Sequence, residues 1–537
     1  MGRTFSFNQL KQTLRLANFL EQNDLPTSEG LAALRARQEE ILARTVSRRQ
    51  FLKGVAATAA VAMVTPPRLT GVRPPPNLDV GIVGAGLAGL ACADALKRRG
   101  VNAILYDGAT RTGGRCWSLR GYFPGQVAER GGELVDNLHK TMLGYARRFG
   151  LRLEDIGKQP GEVFYYFGGQ HVHESVVVDE YREFVRAMRI DLRALSPEVT
   201  AANPTPDDIR LDNINLLDYL NGNNGASLPA GPVIKNAIIE AYEAEMGRAV
   251  AEQSALNFLM FIHADRRAKF APYGVFSDER YHLVDGNDGI VAGLTAGLGG
   301  QINLGMRLLR ISRTSGGRIE LTFDANGSTV TRTHDQVVVS IPFSVLRGID
   351  LDASLNLPPE KIHAIDHLGY GTNAKMMVGF SARPWTALGS SGASYSDLAH
   401  HQATWETNPT RAAATHAILT DYSSAARGAN LDPNNVQAEV QLFLDDLNLV
   451  FPGAQTAATV LGGQYLAHLE HWPSNPFSQG SYTCYRPGQF TTIAGHEGTR
   501  VGNLLFAGEH TDSFYSWQGF MEGAALSGLR AAGELLR

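Results

Sequence analysis

The segment "DVGIVGAGLAGLACADALKRRGVNAILYD", Asp79 to Asp107, decides the fold. The run from Asp79 to Val83 reads as a buried strand. It passes through Gly84, Gly86 and Gly89 into an alanine- and leucine-rich helix that ends near Arg99. A second apolar run ends at Asp107, about 20 residues beyond the last glycine. Each glycine has a physical reason: the first permits the tight turn, the second lets backbone approach a pyrophosphate, and the third lets helix pack on strand. The helix N-terminus then faces the phosphates, and Asp107 is placed to accept hydrogen bonds from a ribose. These features together predict an α/β chain with a Rossmann-like dinucleotide-binding domain.

The flanking segments specify the nucleotide. "DGATRTGGRCW" (Asp107 to Trp117) sets Gly113, Gly114 and Arg115 just past the ribose acid. It resembles the second flavin motif of the amine oxidase and L-amino acid oxidase superfamily. Near the other end, "NLLFAGEHTDSFYSWQGFMEGAALSGLRAAGELL" (Asn503 to Leu536) resembles the closing motif of the same superfamily, with Gly508-Glu509 ahead of a long helix. "HDQVVVSIPFSVLRGIDL", "LGYGTNAKMMVGFSARPW" and "HWPSNPFSQGSYTCYRPG" resemble intervening pieces. The resemblance implies FAD as the cofactor, bound by Gly84, Gly86, Gly89, Asp107, Gly114, Arg115, Leu308, Trp472, Gly508, Glu509 and Met521. The helix beginning near Met521 would point its positive end at the flavin, stabilising the anion formed on reduction. Ser481 occupies the position that is cysteine in monoamine oxidases with covalent flavin, so the FAD is expected to be non-covalent.

The resemblance also implies the architecture. The FAD domain is expected from residues 79–137, 281–343 and 480–537. A substrate domain of sheet plus helices is expected from 138–280 and 344–479. The chemistry implied is oxidation of a neutral amine to an imine, with two electrons passing through flavin to O2 and giving hydrogen peroxide. Lys375 matches the lysine that holds a water near the flavin, and Tyr482 and Phe520 match two aromatic rings flanking the substrate path.

Substrate class rests on "AERGGELVD" (Ala128 to Asp136), which resembles the strand lining the family's substrate cavity. Strand alternation sets Leu134 and Asp136 on one face and Glu133 and Val135 on the other. The position of Leu134 is commonly a carboxylate-gripping arginine in L-amino acid oxidases. Trp405 falls where those enzymes carry a second carboxylate-binding residue, a tyrosine. Both departures favour an amine, with Asp136 available to a second cationic group. An L-amino acid oxidase, including one for basic amino acids, and a non-oxidase dehydrogenase or desaturase of the superfamily are the alternatives.

The rest of the chain sets limits. A formal net charge of -4 and no basic run beyond the signal argue against nucleic acid as a partner. The partners expected are a small amine or amino acid, O2 and the export machinery, with a homodimer left open. "SRRQFLKG" (Ser47 to Gly54) followed by "GVAATAAVAMV" has the charged and apolar regions of a signal over residues 47–64, resembling the twin-arginine type. That type exports folded proteins, so a periplasmic or extracellular enzyme is expected. The apolar run is too short to span a bilayer, and Ala60 to Ala62 offers a small-residue cleavage pattern. A proline-rich linker covers 65–78. The first 46 residues show helical periodicity in "FNQLKQTLRLANFLEQN" and "LAALRARQEEILART", which predicts an amphipathic hairpin. Cys92, Cys116 and Cys484 are too few and too spread for a disulfide framework. The histidines of "HLEH" and "HH" lack the partners of a metal site, and no metal is expected.

Overall fold

The structure is a computed structural model that describes residues 4–33, 36, 78–156, 160–223, 228–264, 279–409 and 415–537. Helix α1 (Phe5–Asn23) comes first, then β1 (Val80–Val83), α2 (Leu87–Lys97) and β2 (Ile104–Asp107). β3 (Glu162–Phe167), β4 (Gln170–Val172), α3 (Glu174–Ala194) and α4 (Pro232–Met246) follow, then β5 (Ile302–Leu304) and β6 (Gln336–Val339). The later elements are β7 (Ala374–Phe380), β8 (Ser390–Ser396), β9 (Ala403–Glu406), β10 (Ala417–Ser423), α5 (Val436–Val450), β11 (Ala467–His471), β12 (Leu504–Phe506) and α6 (Met521–Leu535).

Five strands in the order β12-β6-β1-β2-β5 form a parallel sheet. All four residues of β1 are buried, which is why its sequence is an unbroken apolar run and not an alternating one. Because the strands come from segments hundreds of residues apart, this α/β layer closes only when both ends of the chain meet. α6 completes it by lying on α2, and the contact is too close for side chains: a Cβ at Gly528 would stand 2.1 Å from the carbonyl oxygen of Ala88. The alanines and glycines of both helices are therefore a packing requirement.

The second sheet runs β11-β7-β10-β9-β8-β3-β4 and is antiparallel apart from the β8–β3 pair. β7, β8 and β10 are buried along their whole length, because helices cover both faces. Met376, Val378 and Leu419 pack with Phe443 and Leu444 of α5 on one side. Tyr395, Trp405 and Tyr422 face the core shared with α1 and α4 on the other. A smaller sheet of Met306–Arg313, Ile319–Ala325, Ser328–His334 and Asp350–Leu351 flanks the parallel one.

Two sequence expectations change. In "AERGGELVD" only Ala128–Glu129 is strand; beyond Gly131-Gly132 the chain is irregular up to an isolated bridge between Val135 and Tyr281. The alternation expected for Glu133 to Asp136 therefore does not hold. The N-terminal hairpin is represented by α1 and a helical turn from Thr27, while its second arm, the export signal and the linker fall largely outside the described residues. Among the described residues no helix is long and apolar enough to cross a membrane.

Candidate active site

A cavity of about 740 Å³ runs between the two sheets. One end is backbone. Gly84 sits at φ +104°, and its N–H donates to the Tyr106 carbonyl at 2.7 Å, which turns the chain out of β1. A Cβ on Gly89 would stand 2.0 Å from the Gly84 carbonyl oxygen, whereas one on Gly86 would meet nothing within 4 Å. Gly89 is thus demanded by the fold, while at Gly86 the backbone borders open space on the cavity wall. Asp107 closes the loop, accepting from Ala85 N at 2.6 Å and Ala109 N at 2.8 Å, and burial raises its pKa. α2 starts at Gly86 with no side-chain cap, leaving first-turn N–H groups directed at the cavity. This cradle fits a pyrophosphate, and each carboxylate oxygen of Asp107 retains acceptor capacity for a ribose hydroxyl.

The chain's two ends meet at Arg115. Its Nη1 donates to Glu509 Oε1 at 3.0 Å and to the Ser481 carbonyl at 2.6 Å. Glu509 also accepts from Gly519 N at 2.8 Å and from the Thr483 hydroxyl. Arg115 thereby ties the segment before α6 to the second glycine motif, Gly113-Gly114. The first turn of α6 carries Glu522, whose carboxylate takes the N–H groups of Thr141 and Met142, both at 2.8 Å. Met521 beside it lines the cavity.

The other end is aromatic and centred on an ion pair. Lys375, on β7, places Nζ 2.6 Å from Glu133 Oε2, with both side chains about 95% buried. The ammonium also donates to the carbonyls of Gly131 at 2.9 Å and Glu129 at 3.2 Å, so its three N–H bonds have three protein acceptors. Trp405 Nε1 donates to Glu133 Oε1 at 2.9 Å, and Lys375 Nζ lies 5.6 Å from the Trp405 ring and 5.9 Å from that of Tyr422. Tyr422 donates to the Tyr482 hydroxyl at 3.0 Å, which donates to the Glu245 carbonyl at 2.8 Å. Leu134, Phe520 and Thr4 complete this wall. Behind it, Glu129 accepts from the Ser118 hydroxyl and Asn287 N, and burial pushes its pKa up to about 8.

The cavity brings together Gly84, Gly86, Asp107, Gly114, Arg115, Leu308, Trp472, Gly508, Glu509 and Met521, expected to hold the cofactor, and Lys375, Tyr482, Phe520, Leu134 and Trp405, expected to meet the substrate. Gly89 stands behind it as a packing residue. Asp136 is the correction: it is fully buried away from the cavity, and its carboxylate accepts from Leu138 N at 2.6 Å and Glu279 N at 3.2 Å. A subsite for a second cation at Asp136 is withdrawn. Glu133, assigned by alternation to the opposite face, lines the cavity instead; the Gly131-Gly132 pair ahead of it was the signal that strand periodicity would fail there. Tyr422 and Thr4 carry no local motif.

His401 bridges Ser394 Oγ at 2.9 Å and Asp421 Oδ1 at 3.0 Å, a relay shape sealed inside the sheet with no access for a substrate. All three cysteines are buried; Cys116 lines the cofactor end of the cavity, whereas Cys92 and Cys484 stay off it. No metal-binding cluster occurs among the described residues.

The family model described as "Flavin containing amine oxidoreductase" matches residues 87–536. The chain belongs to that family. FAD is its cofactor, and the chain is an oxidoreductase. A twin-arginine translocation pathway signal matches residues 45–65. The chain is 22% identical over 470 residues to an L-amino-acid oxidase of Pseudechis australis, covering 84% of this chain and 86% of that one. It is 26% identical over 493 residues to a putative flavin-containing monoamine oxidase of Mycobacterium tuberculosis, covering 86% and 97%. Cyclohexylamine oxidase from Brevibacterium oxydans shares the fold with a TM-score of 0.71 at 19% identity, over 86% of this chain and 99% of that one. A putrescine oxidase bound to putrescine does so at 0.68 and 18%, over 85% and 98%.

Lys375→Met leaves the Glu133 carboxylate buried and unpaired, a loss of about 3–5 kcal/mol. Its Tm should fall markedly, and adding Glu133→Gln should restore the Tm but not the turnover. Equal Tm for Lys375→Met and the parent would show that the pair carries no stability. Glu129 yields a pH prediction. Its folded pKa of about 8 lies above the ordinary 4.5, so its contribution to stability is full below about pH 4.5 and lost as pH rises through 8. Glu129→Gln mimics the protonated form, and its Tm should exceed the parent's increasingly from pH 5 to pH 8; a constant difference would contradict this.

Proposed function

We propose that this chain is an exported, FAD-dependent oxidase of an amine that lacks an α-carboxylate. The amine becomes an imine by losing two electrons and two protons, O2 takes them up as hydrogen peroxide, and water hydrolyses the imine to a carbonyl compound and ammonia or an amine. The observation that carries the reading is charge: among the described residues that line the aromatic end of the cavity, Lys375 is the one cation, and Glu133 occupies it. An α-carboxylate would have to displace that contact inside a buried site.

Bound FAD supplies the two-electron acceptor, for which the glycine loops, Asp107, Arg115 and Glu509 form the holding set. The residues of this chain bind and orient the amine. Tyr422, Tyr482, Trp405 and Phe520 offer an apolar, aromatic wall to the body of the substrate and exclude bulk water from the reacting carbon. Glu133 keeps the Lys375 ammonium engaged, so this wall offers a carboxylate no ready counter-ion, which favours an amine over an acid. Lys375 orders the Gly131 turn and Glu133; a water at its ammonium would replace the longest of its three contacts, the Glu129 carbonyl. Ser481 offers no thiol, which supports non-covalent flavin. The twin-arginine signal supports a periplasmic or extracellular destination for the preloaded flavoprotein.

The test is peroxide release by the purified holoenzyme across paired substrates, each amine beside its α-carboxylated analogue. The amine of each pair should have a kcat/KM at least tenfold higher, and kcat/KM should rise with pH until the substrate nitrogen is neutral. A preference for the α-carboxylated member would replace this reading with an L-amino acid oxidase. Flavin reduction without peroxide would indicate a dehydrogenase.

A further inference from the structure

The export signal at residues 45–65 lies downstream of α1, yet α1 is built into the body of the enzyme. Phe7, Leu10, Leu14, Leu16 and Leu20 are each at most 8% exposed and join the core that contains Tyr395 and Trp405. Phe7 packs edge-on against Tyr242 of α4 at 5.2 Å between centroids. The Ser6 hydroxyl donates to the carbonyl of Thr404 on β9, and Thr13 donates to Glu174 at the start of α3. Glu21 pairs with Arg182 and Arg186 further along α3. The first turn reaches the substrate end of the cavity: Thr4 caps the helix by accepting from Phe7 N at 3.1 Å, comes within 3.5 Å of Glu245, and lines the cavity itself.

A cut within Ala60 to Ala62 would therefore separate a wall of the pocket from the remaining polypeptide without separating it in space. We propose that α1 stays bound after the signal is cut, so that the exported enzyme is a two-chain protein whose short first chain limits the length of amine accepted. Five buried apolar side chains, flanked by ion pairs and backbone contacts, have the makeup of a stable interface, and losing them would leave an apolar trough along α3 and α4. The length limit rests on reading this cavity as the amine pocket; the retention does not.

The test uses the full-length holoenzyme with a site-specific protease sequence inserted between residues 66 and 77. After cutting, intact-mass analysis of the gel-filtration peak should find both chains together, with kcat/KM across a series of linear amines unchanged within twofold. Thr4→Trp should lower kcat/KM for the longest accepted amine at least tenfold more than for the shortest. Thr4→Ser, which keeps the helix cap and removes a methyl group, should shift the preference towards longer amines. Release of the first chain, whether activity then falls, persists or rises, would overturn retention. Equal effects of both substitutions on short and long amines would overturn the role of α1 in specificity. Because retention is read by mass, it can fail or hold whatever the true substrate is.

Discussion

The Lys375–Glu133 pair is the constraint on which the substrate end of this enzyme depends. It joins elements of different origin: Lys375 stands on β7 of the larger sheet, while Glu133 follows the Gly131-Gly132 turn that leaves the short strand Ala128–Glu129. A buried charge is tolerated only when paired and hydrogen-bonded, and here all three protons of Lys375 and both oxygens of Glu133 are used. The pair thus ties β7 to the Gly131-Gly132 turn and seats the Trp405 ring.

A second joint sets the cofactor end. Arg115 and Glu509 come from opposite ends of the chain and meet at 3.0 Å, and α6 presses on α2 through Gly528. The parallel sheet therefore cannot close until the C-terminal segment has arrived. This fits a protein that is exported only after folding, since a flavin cradle assembled from residues 84 and 509 exists only in the finished chain. The position of α1 extends the same logic to the N-terminus, which is folded into the substrate domain ahead of the signal.

How far the sequence could be read followed from how local each cause was. The glycine loop and Asp107 are dictated by backbone geometry within a few residues, and the motif shows them directly; Arg115 was legible through the resemblance of its segment to a flavin motif, while its partners Ser481 and Glu509 lie far along the chain. Lys375 was legible because its segment resembles the family's lysine-bearing strand, and its apolar neighbours spoke against a solvated strand tip. Its partner was not, since strand alternation was applied to a stretch that Gly131-Gly132 removes from the sheet. Asp136 was misplaced for a related reason: the backbone amides of Leu138 and Glu279, which claim its carboxylate, leave no trace in a polarity pattern. Thr4 and Tyr422 reach the cavity through tertiary packing alone. The helical period of α1 was visible, but what it packs against was not.

The most direct test of the account is a crystal structure of the holoenzyme with a slowly turned-over amine. The account predicts the flavin pyrophosphate over Gly86 and the start of α2, the Lys375–Glu133 contact intact at hydrogen-bond distance, and the amine body between Trp405, Tyr422 and Tyr482. An amine bound outside that aromatic wall, or a Glu133 turned away from Lys375 in the complex, would contradict it.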